Sequence, residues 1–269
     1  MTQRSTDPGA PGHGLDYSTM PGHWLLAQMG KRVLRPGGVE LTSHMLEALD
    51  ICSTDEVVEF APGLGMTARA ALERQPASYT GIERDDTAAR QVGKYLNGPG
   101  RQCLVGKAEA TGLPDVSATV VFGEAMLSMQ TSILKASIVE EAARLLRPGG
   151  RYGVHELCLQ PDDMEDAKKA EISQVLSDAI HVGARPLTPG EWKALLEEHG
   201  FTVGTQLTAP MHLLEPKRFI QDEGLARTSR FVLKVATTPA ARRRILRMRK
   251  IFRQYLSNLA AITLIGVKK

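Results

Sequence analysis

Short apolar runs of strand length alternate with longer stretches of helical period along most of this chain. The clearest case is Val57-Val58-Glu59-Phe60, then Ala61-Pro62-Gly63-Leu64-Gly65, then the alanine-rich Thr67–Leu72. A β-branched run, a glycine turn and a run of helix formers predict a buried strand, a sharp connection and a helix start. Gly63 and Gly65 let the backbone turn tightly and let a ligand come close. The first N–H groups of the new helix face that ligand. Tyr79–Glu83, Cys103–Val105, Thr119–Phe122 and Arg151–Leu157 read as further strands, 201–214 contains a sixth, and Ala260–Val267 reads as the last. Helices are predicted over 23–29, over 42–49 with Thr42 as the cap, over 87–96, and over 137–146. A polar helical insertion follows over 162–182. The next helix starts at Thr188-Pro189-Gly190-Glu191, a capping Thr with Pro first and Glu three residues on, and ends at Gly200. Strands alternating with helices predict an α/β, doubly wound, Rossmann-like sheet with helices on both faces. In such sheets ligands lie beyond the carboxyl ends of the strands.

Residues 1–20 are rich in Gly, Pro, Ser and Thr without apolar period, and read as a disordered leader. Residues 21–269 read as a single domain. Within it, 21–50 form an N-terminal helical lid, 51–160 a cofactor-binding core, and 161–269 a substrate-side insertion with the C-terminal strands and helices. The pentapeptide Leu-Arg-Pro-Gly-Gly occurs at 34–38 and at 146–150. Only the second lies between a helix and a strand, so the first reads as coincidental turn chemistry.

Charge changes this picture at one end. The net charge is +3, yet 12 of the 33 basic residues lie between Gly224 and Lys269, where there is no Asp or Glu. The rest of the chain carries 21 basic against 30 acidic residues, a net of −9. Ala240–Leu259 reads as a basic helix with Ile245, Met248 and Phe252 on one side. Such a helix either packs on the sheet with solvated arginines or meets an anionic partner, a lipid surface or an acidic substrate. The acidic body and the 5% aromatic content argue against nucleic acid. Cys52, Cys103 and Cys158 are odd in number and widely spaced, which suits a reducing cytoplasm and builds no metal site.

Five motifs in order resemble class I S-adenosylmethionine-dependent methyltransferases. They are Glu59-Phe-Ala61-Pro-Gly63-Leu-Gly65, Gly81-Ile82-Glu83, Gly106-Lys107-Ala108-Glu109 with Leu113-Pro114, Leu145-Leu-Arg-Pro-Gly-Gly150, and Glu197-Glu-His-Gly200-Phe201. The match covers roughly residues 40 to 214 and is most similar to the ubiquinone/menaquinone-biosynthesis C-methyltransferases and their small-molecule relatives. The resemblance implies a seven-stranded sheet whose last strand is antiparallel. It also implies S-adenosylmethionine as cofactor, S-adenosylhomocysteine as product and a small, apolar methyl acceptor.

Carried onto this sequence, the resemblance implies that Glu59 orients the methionine ammonium through water. Ala61, Gly63 and Gly65 let the cofactor pass over the backbone, Glu83 accepts the ribose hydroxyls with Arg84 beside it, and Ala108 meets the adenine. Lys107 departs from the family's Asp, since a lysine cannot accept from the adenine amino group. Either Glu109 substitutes or adenine is held by backbone and packing. Glu124, His155 and Glu156, at the ends of the fourth and fifth strands, are the candidate catalytic groups. His155 and Glu156 point to opposite faces of their strand. Trp24, Met126, Leu127, Met129, Met211 and Leu213 are candidates for an apolar acceptor pocket, where adaptable Met side chains suit irregular ligands. Two alternatives stay open at this point. Gly63-Leu-Gly65-Met-Thr-Ala68 also fits the G-x-G-x-x-A fingerprint of a nicotinamide-dependent oxidoreductase. Lys107 favours a non-catalytic cofactor-binding or regulatory protein of the same fold.

Overall fold

The computed structural model describes residues 3–5 and 10–269. Seven strands form one sheet: β1 Glu56–Phe60, β2 Ser78–Glu83, β3 Arg101–Val105, β4 Ala118–Glu124, β5 Leu146–Leu159, β6 Phe201–Pro210 and β7 Leu259–Lys268. The order across the sheet is β3-β2-β1-β4-β5-β7-β6. The first five strands pair in parallel, and β7 inserts antiparallel between β5 and β6. Chain order reverses between β1 and β4, so the crevice at their carboxyl ends is the topological switch point. Arg147–Gly150, expected as a turn before the fifth strand, lie within β5; Ala118 pairs with Leu146 and Val120 with Arg151, so these residues form an irregularity in the ladder rather than a separate turn.

Ten helices occur among the described residues. They are α1 Gly22–Met29, α2 Gly38–Leu49, α3 Met66–Leu72, α4 Asp86–Gly93, α5 Ser132–Leu145, α6 Asp166–Ile180, α7 Pro189–Glu198, α8 Pro216–Glu223, α9 Leu225–Thr237 and α10 Pro239–Gln254. Helices α2, α4, α5 and α7 pack on the sheet. Apolar strands such as Val120–Phe122, buried throughout, are thereby covered on both faces. Helices α1, α6, α9 and α10 pack on one another. Their cluster, built on Leu25, Met29, Ile172, Leu176, Met248 and Phe252, forms a helical cap.

Several element starts differ from the sequence pattern. Thr42 does not cap α2, which begins a turn earlier at Gly38. Helix α5 begins at Ser132 because Thr131 accepts from the Leu134 N–H. Of the leader expected over 1–20, residues 1, 2 and 6–9 lie outside the described residues. The segment from 10 to 20 is not an unstructured tail: Tyr17 and Met20 are buried in the cap, and the Tyr17 and Met20 carbonyls accept from Arg244. Helix α10 rests on α6 and α9 rather than on the sheet, with Ile245, Met248 and Phe252 turned inward. The exposed apolar stripe that a membrane role for α10 required is therefore absent from that helix.

Candidate active site

A cavity of 620 Å³ opens where the cap meets the carboxyl ends of the parallel strands. Its floor is set by two backbone kinks. Ala61, just after β1, and Ala125, just after β4, both sit at φ 52, a left-handed conformation that costs a non-glycine residue energy. Each is held by a strand-end hydrogen bond, Ala61 N–H to the Ile82 carbonyl and Ala125 N–H to the His155 carbonyl. Both line the cavity. Gly63 lines it too, at φ 58; a Cβ added there would meet only the Ala61 carbonyl, at 3.9 Å. Gly65 is different. It is not on the cavity wall, and a Cβ there would come within 3.1 Å of the Tyr95 ring. Its work is to start α3 and let Tyr95 pack closely.

Glu59 and Glu83, at the ends of β1 and β2, both reach the cavity and both are buried. Glu83 accepts from the Gly63 N–H at 2.9 Å with one oxygen and from the Asp85 N–H at 3.0 Å with the other. Each oxygen keeps a lone pair, so the carboxylate can still take a vicinal diol. Burial raises its pKa, and the N–H donors oppose the rise. Glu59 accepts from the Tyr79 hydroxyl at 2.5 Å. Burial pushes it up to about 8, with the Tyr79 hydrogen bond opposing. Glu59 is thus protonated at neutral pH until a cation arrives. Arg84 lies exposed at the rim; Ala108 is a buried part of the wall, with Lys107 and Glu109 on either side of it. The residues fit an adenosyl cofactor: a diol acceptor at β2, a latent anion at β1, and open backbone over Gly63 between them.

The three catalytic candidates are placed very differently. Glu124 lines the cavity at the end of β4. One of its oxygens accepts from the Thr42 hydroxyl at 2.6 Å and lies 2.6 Å from His155 Nδ1. The other accepts from the Thr67 hydroxyl and lies 3.3 Å from Arg35 Nε. Arg35 and the hydrogen bonds overcome the cost of burial and hold the carboxyl down at about 2. His155 is fully buried and is not on the wall; its Nε2 lies 2.7 Å from the Pro36 carbonyl and so carries a proton toward it. Glu156 is also fully buried and off the wall. It accepts from the Ser128 hydroxyl and from the N–H groups of Met126, Leu127 and Ser128 at 2.8, 2.6 and 3.0 Å. Those donors are the N-cap Met126 and the first two residues of a single 3-10 turn, Leu127–Met129, that the carboxylate pins in place.

Of the residues expected to form an acceptor pocket, Trp24, Met126, Met129, Met211 and Leu213 line the cavity, whereas Leu127 is buried behind it. Met248 and Phe252 of α10 complete the apolar wall. His23 of α1, which sequence reasoning did not single out, also lines the cavity; burial lowers its imidazole to about 4, so it is neutral at neutral pH. Arg35 was missed as well. It belongs to the first Leu-Arg-Pro-Gly-Gly segment, so the repeat set aside as turn chemistry was the signal: Arg35 pairs with Glu124 and the Pro36 carbonyl anchors His155. Among the described residues, no group of three or more His, Cys, Asp or Glu side chains is placed to hold a metal ion.

Comparison with known proteins agrees with this geometry. Residues 58–154 match the family model described as a methyltransferase domain. An uncharacterized protein of Haemophilus influenzae is 32% identical over 235 residues, covering 86% of this chain and 91% of the relative. Among solved structures, the MccD protein superposes with a TM-score of 0.67 at 17% identity, covering 87% of this chain and 99% of its own. Phosphoethanolamine N-methyltransferase 2 of Haemonchus contortus, solved in complex with S-adenosyl-L-methionine, superposes with a TM-score of 0.68 at 15% identity over 92% of this chain and 56% of its own. At such identities these likenesses speak for the fold. With the methyltransferase-domain match, the ordered motifs and the diol-ready cleft, they lead to one conclusion: this chain belongs to the class I S-adenosylmethionine-dependent methyltransferases, and S-adenosylmethionine is its cofactor.

Proposed function

We propose that this enzyme methylates a small, largely apolar molecule in the chamber between the 3-10 turn and the cap. The carrying observation is the chamber wall, where Trp24, Met126, Met129, Met211, Leu213 and Phe252 converge. Bound S-adenosylmethionine supplies an electrophilic methyl group on a sulfonium. The chain supplies orientation and exclusion of water. Glu83 takes the ribose hydroxyls, Ala61 and Gly63 present open backbone, Ala108 with Glu109 borders the adenine, Arg84 sits at the ribose rim, and Glu59 faces the ammonium. Gly65 acts one step back, through the packing of α3.

Glu124, His155 and Glu156 act as positioning residues in this reading. Glu124 ties β4 to α2, α3 and the Arg35 loop, His155 holds Glu124, and Glu156 fixes the turn that walls the acceptor. A carboxyl held near 2 is a poor base at neutral pH, and the other two do not reach the cavity. The acceptor is then nucleophilic without their help. The chain works in a reducing cytoplasm: all three cysteines are free, and burial pushes Cys103 and Cys158 up to about 12, which keeps them unreactive.

Incubating the enzyme with methyl-labelled cofactor and cell extract tests the acceptor class. Label recovered in a solvent-extractable small molecule supports the reading. Label recovered in precipitated RNA or protein would replace it.

A further inference from the structure

The cap exposes an apolar face on α9. Phe231 is buried against Phe219 of α8, and Val235 packs into the cap, but Leu225, Val232 and Leu233 are 70%, 58% and 66% exposed. At about 100° per residue, Leu225, Ser229, Val232, Leu233 and Ala236 share one arc of the helix. Arg227, Arg230 and Lys234 occupy a second arc, and the buried Phe231 and Val235 a third. The outer face of α10 adds Arg242, Arg243, Arg247 and Lys250, all exposed, around Leu246, which is 56% exposed. Of the α10 arginines, Arg249 and Arg253 pair with Glu215. The four outer cations have no carboxylate partner among the described residues. The two helices pack on each other and are joined by Thr238 alone.

We propose that this helical pair is a docking surface for an anionic lipid bilayer. Branched apolar side chains beside a cluster of unpaired cations match the two components of such a surface, acyl boundary and negative headgroups. A second copy of this chain fits poorly, because a symmetric contact through α9 would bring the same cations face to face. Nucleic acid fits poorly too, because the exposed side chains are Leu and Val and offer no ring on which a base can stack. The contact is peripheral, since no helix among the described residues is long and apolar enough to cross a membrane. It lies near the chemistry: the opposite face of α10 carries Met248 and Phe252 into the acceptor chamber, one helix diameter of about 10 Å away.

Co-sedimentation of the full chain with phosphatidylcholine vesicles, with and without phosphatidylglycerol, tests this independently of turnover. The wild type pellets with the anionic vesicles at low salt, and the bound fraction fades as salt rises. Arg227→Glu with Arg230→Glu weakens binding by at least about fivefold per basic residue engaged. Val232→Ser with Leu233→Ser, both at exposed positions, weakens it about tenfold while cofactor affinity and the melting temperature stay at wild-type values. Four results would overturn the proposal: wild type left in the supernatant with anionic vesicles, equal pelleting with neutral vesicles, a folded Val232→Ser/Leu233→Ser variant that binds like wild type, or a dimer in place of vesicle binding that this variant dissolves.

Discussion

At the end of β4, donors from three directions converge on Glu124, and their number decides its chemistry. Thr42, Thr67, His155 and Arg35 surround the two oxygens, so the group is held ionised. Glu124→Gln keeps the shape but leaves buried Arg35 without its counter-charge, a loss of about 3 kcal/mol or more. Urea unfolding of the two proteins measures it. The pH dependence has a definite sign. Because Glu124 titrates near 2 when folded and near 4.5 otherwise, its stabilisation is present above pH 4.5 and fades as pH falls toward 2. The Gln variant should show a flatter acid limb. Glu59 works the other way. Its folded value of about 8 means its contribution is full below 4.5 and is lost as pH rises through 8. A bound ammonium reverses that protonation, so cofactor binding at neutral pH should release a proton from Glu59 and strengthen as pH approaches 8. Calorimetry in buffers of different ionisation enthalpy detects the release, and Glu59→Gln should abolish it. Heats that do not depend on the buffer would contradict this assignment. Of these groups, the placement of Glu59 and Glu83 at the strand ends was legible from the motifs. The ionisation of Glu124 was not, because Thr42, Arg35 and His155 meet it only after α2 docks on the sheet.

Helix α10 carries the clearest lesson at the scale of elements. Its wheel of Ile245, Met248 and Phe252 was readable as one apolar side, and that side is buried. What it packs against was not readable, since α6 and α1 lie far away in the chain. Phe252→Ala should open the chamber and cost about 3 kcal/mol, visible as a lower urea midpoint, while cofactor affinity holds. Collapse of cofactor binding in a folded Phe252→Ala protein would show that cap and cleft are one unit. Element starts were misread wherever a Thr had two possible uses. Thr131 caps α5, whereas Thr42 points its hydroxyl at Glu124 from inside α2. Local pattern does not separate the two, because both place a hydroxyl just before an apolar run. The region from 10 to 20 was misread for a related reason: Tyr17 and Met20 are isolated apolar residues without period, and the cap cluster that buries them and the Arg244 that donates to their carbonyls come from distant parts of the chain.

Across the whole molecule, strand–helix alternation sufficed for the parallel half of the sheet, and resemblance to a family supplied the antiparallel β7. The cap has no local signature, because its cluster joins Leu25 near one end of the chain to Phe252 near the other. The charge asymmetry was visible throughout, but only the structure shows that exposed apolar side chains of α9 lie beside the cations of α10. In the cleft below the cap, the two buried carboxylates at the ends of β1 and β2 are proposed to hold the methyl donor. Calorimetric titration of S-adenosylmethionine into wild type and Glu83→Ala tests it most directly. Removing the diol acceptor from a buried site should weaken binding by about tenfold, or roughly 1–3 kcal/mol, with the fold intact by circular dichroism. Unchanged affinity in Glu83→Ala, or tighter binding of a nicotinamide dinucleotide than of S-adenosylmethionine by the wild type, would contradict it.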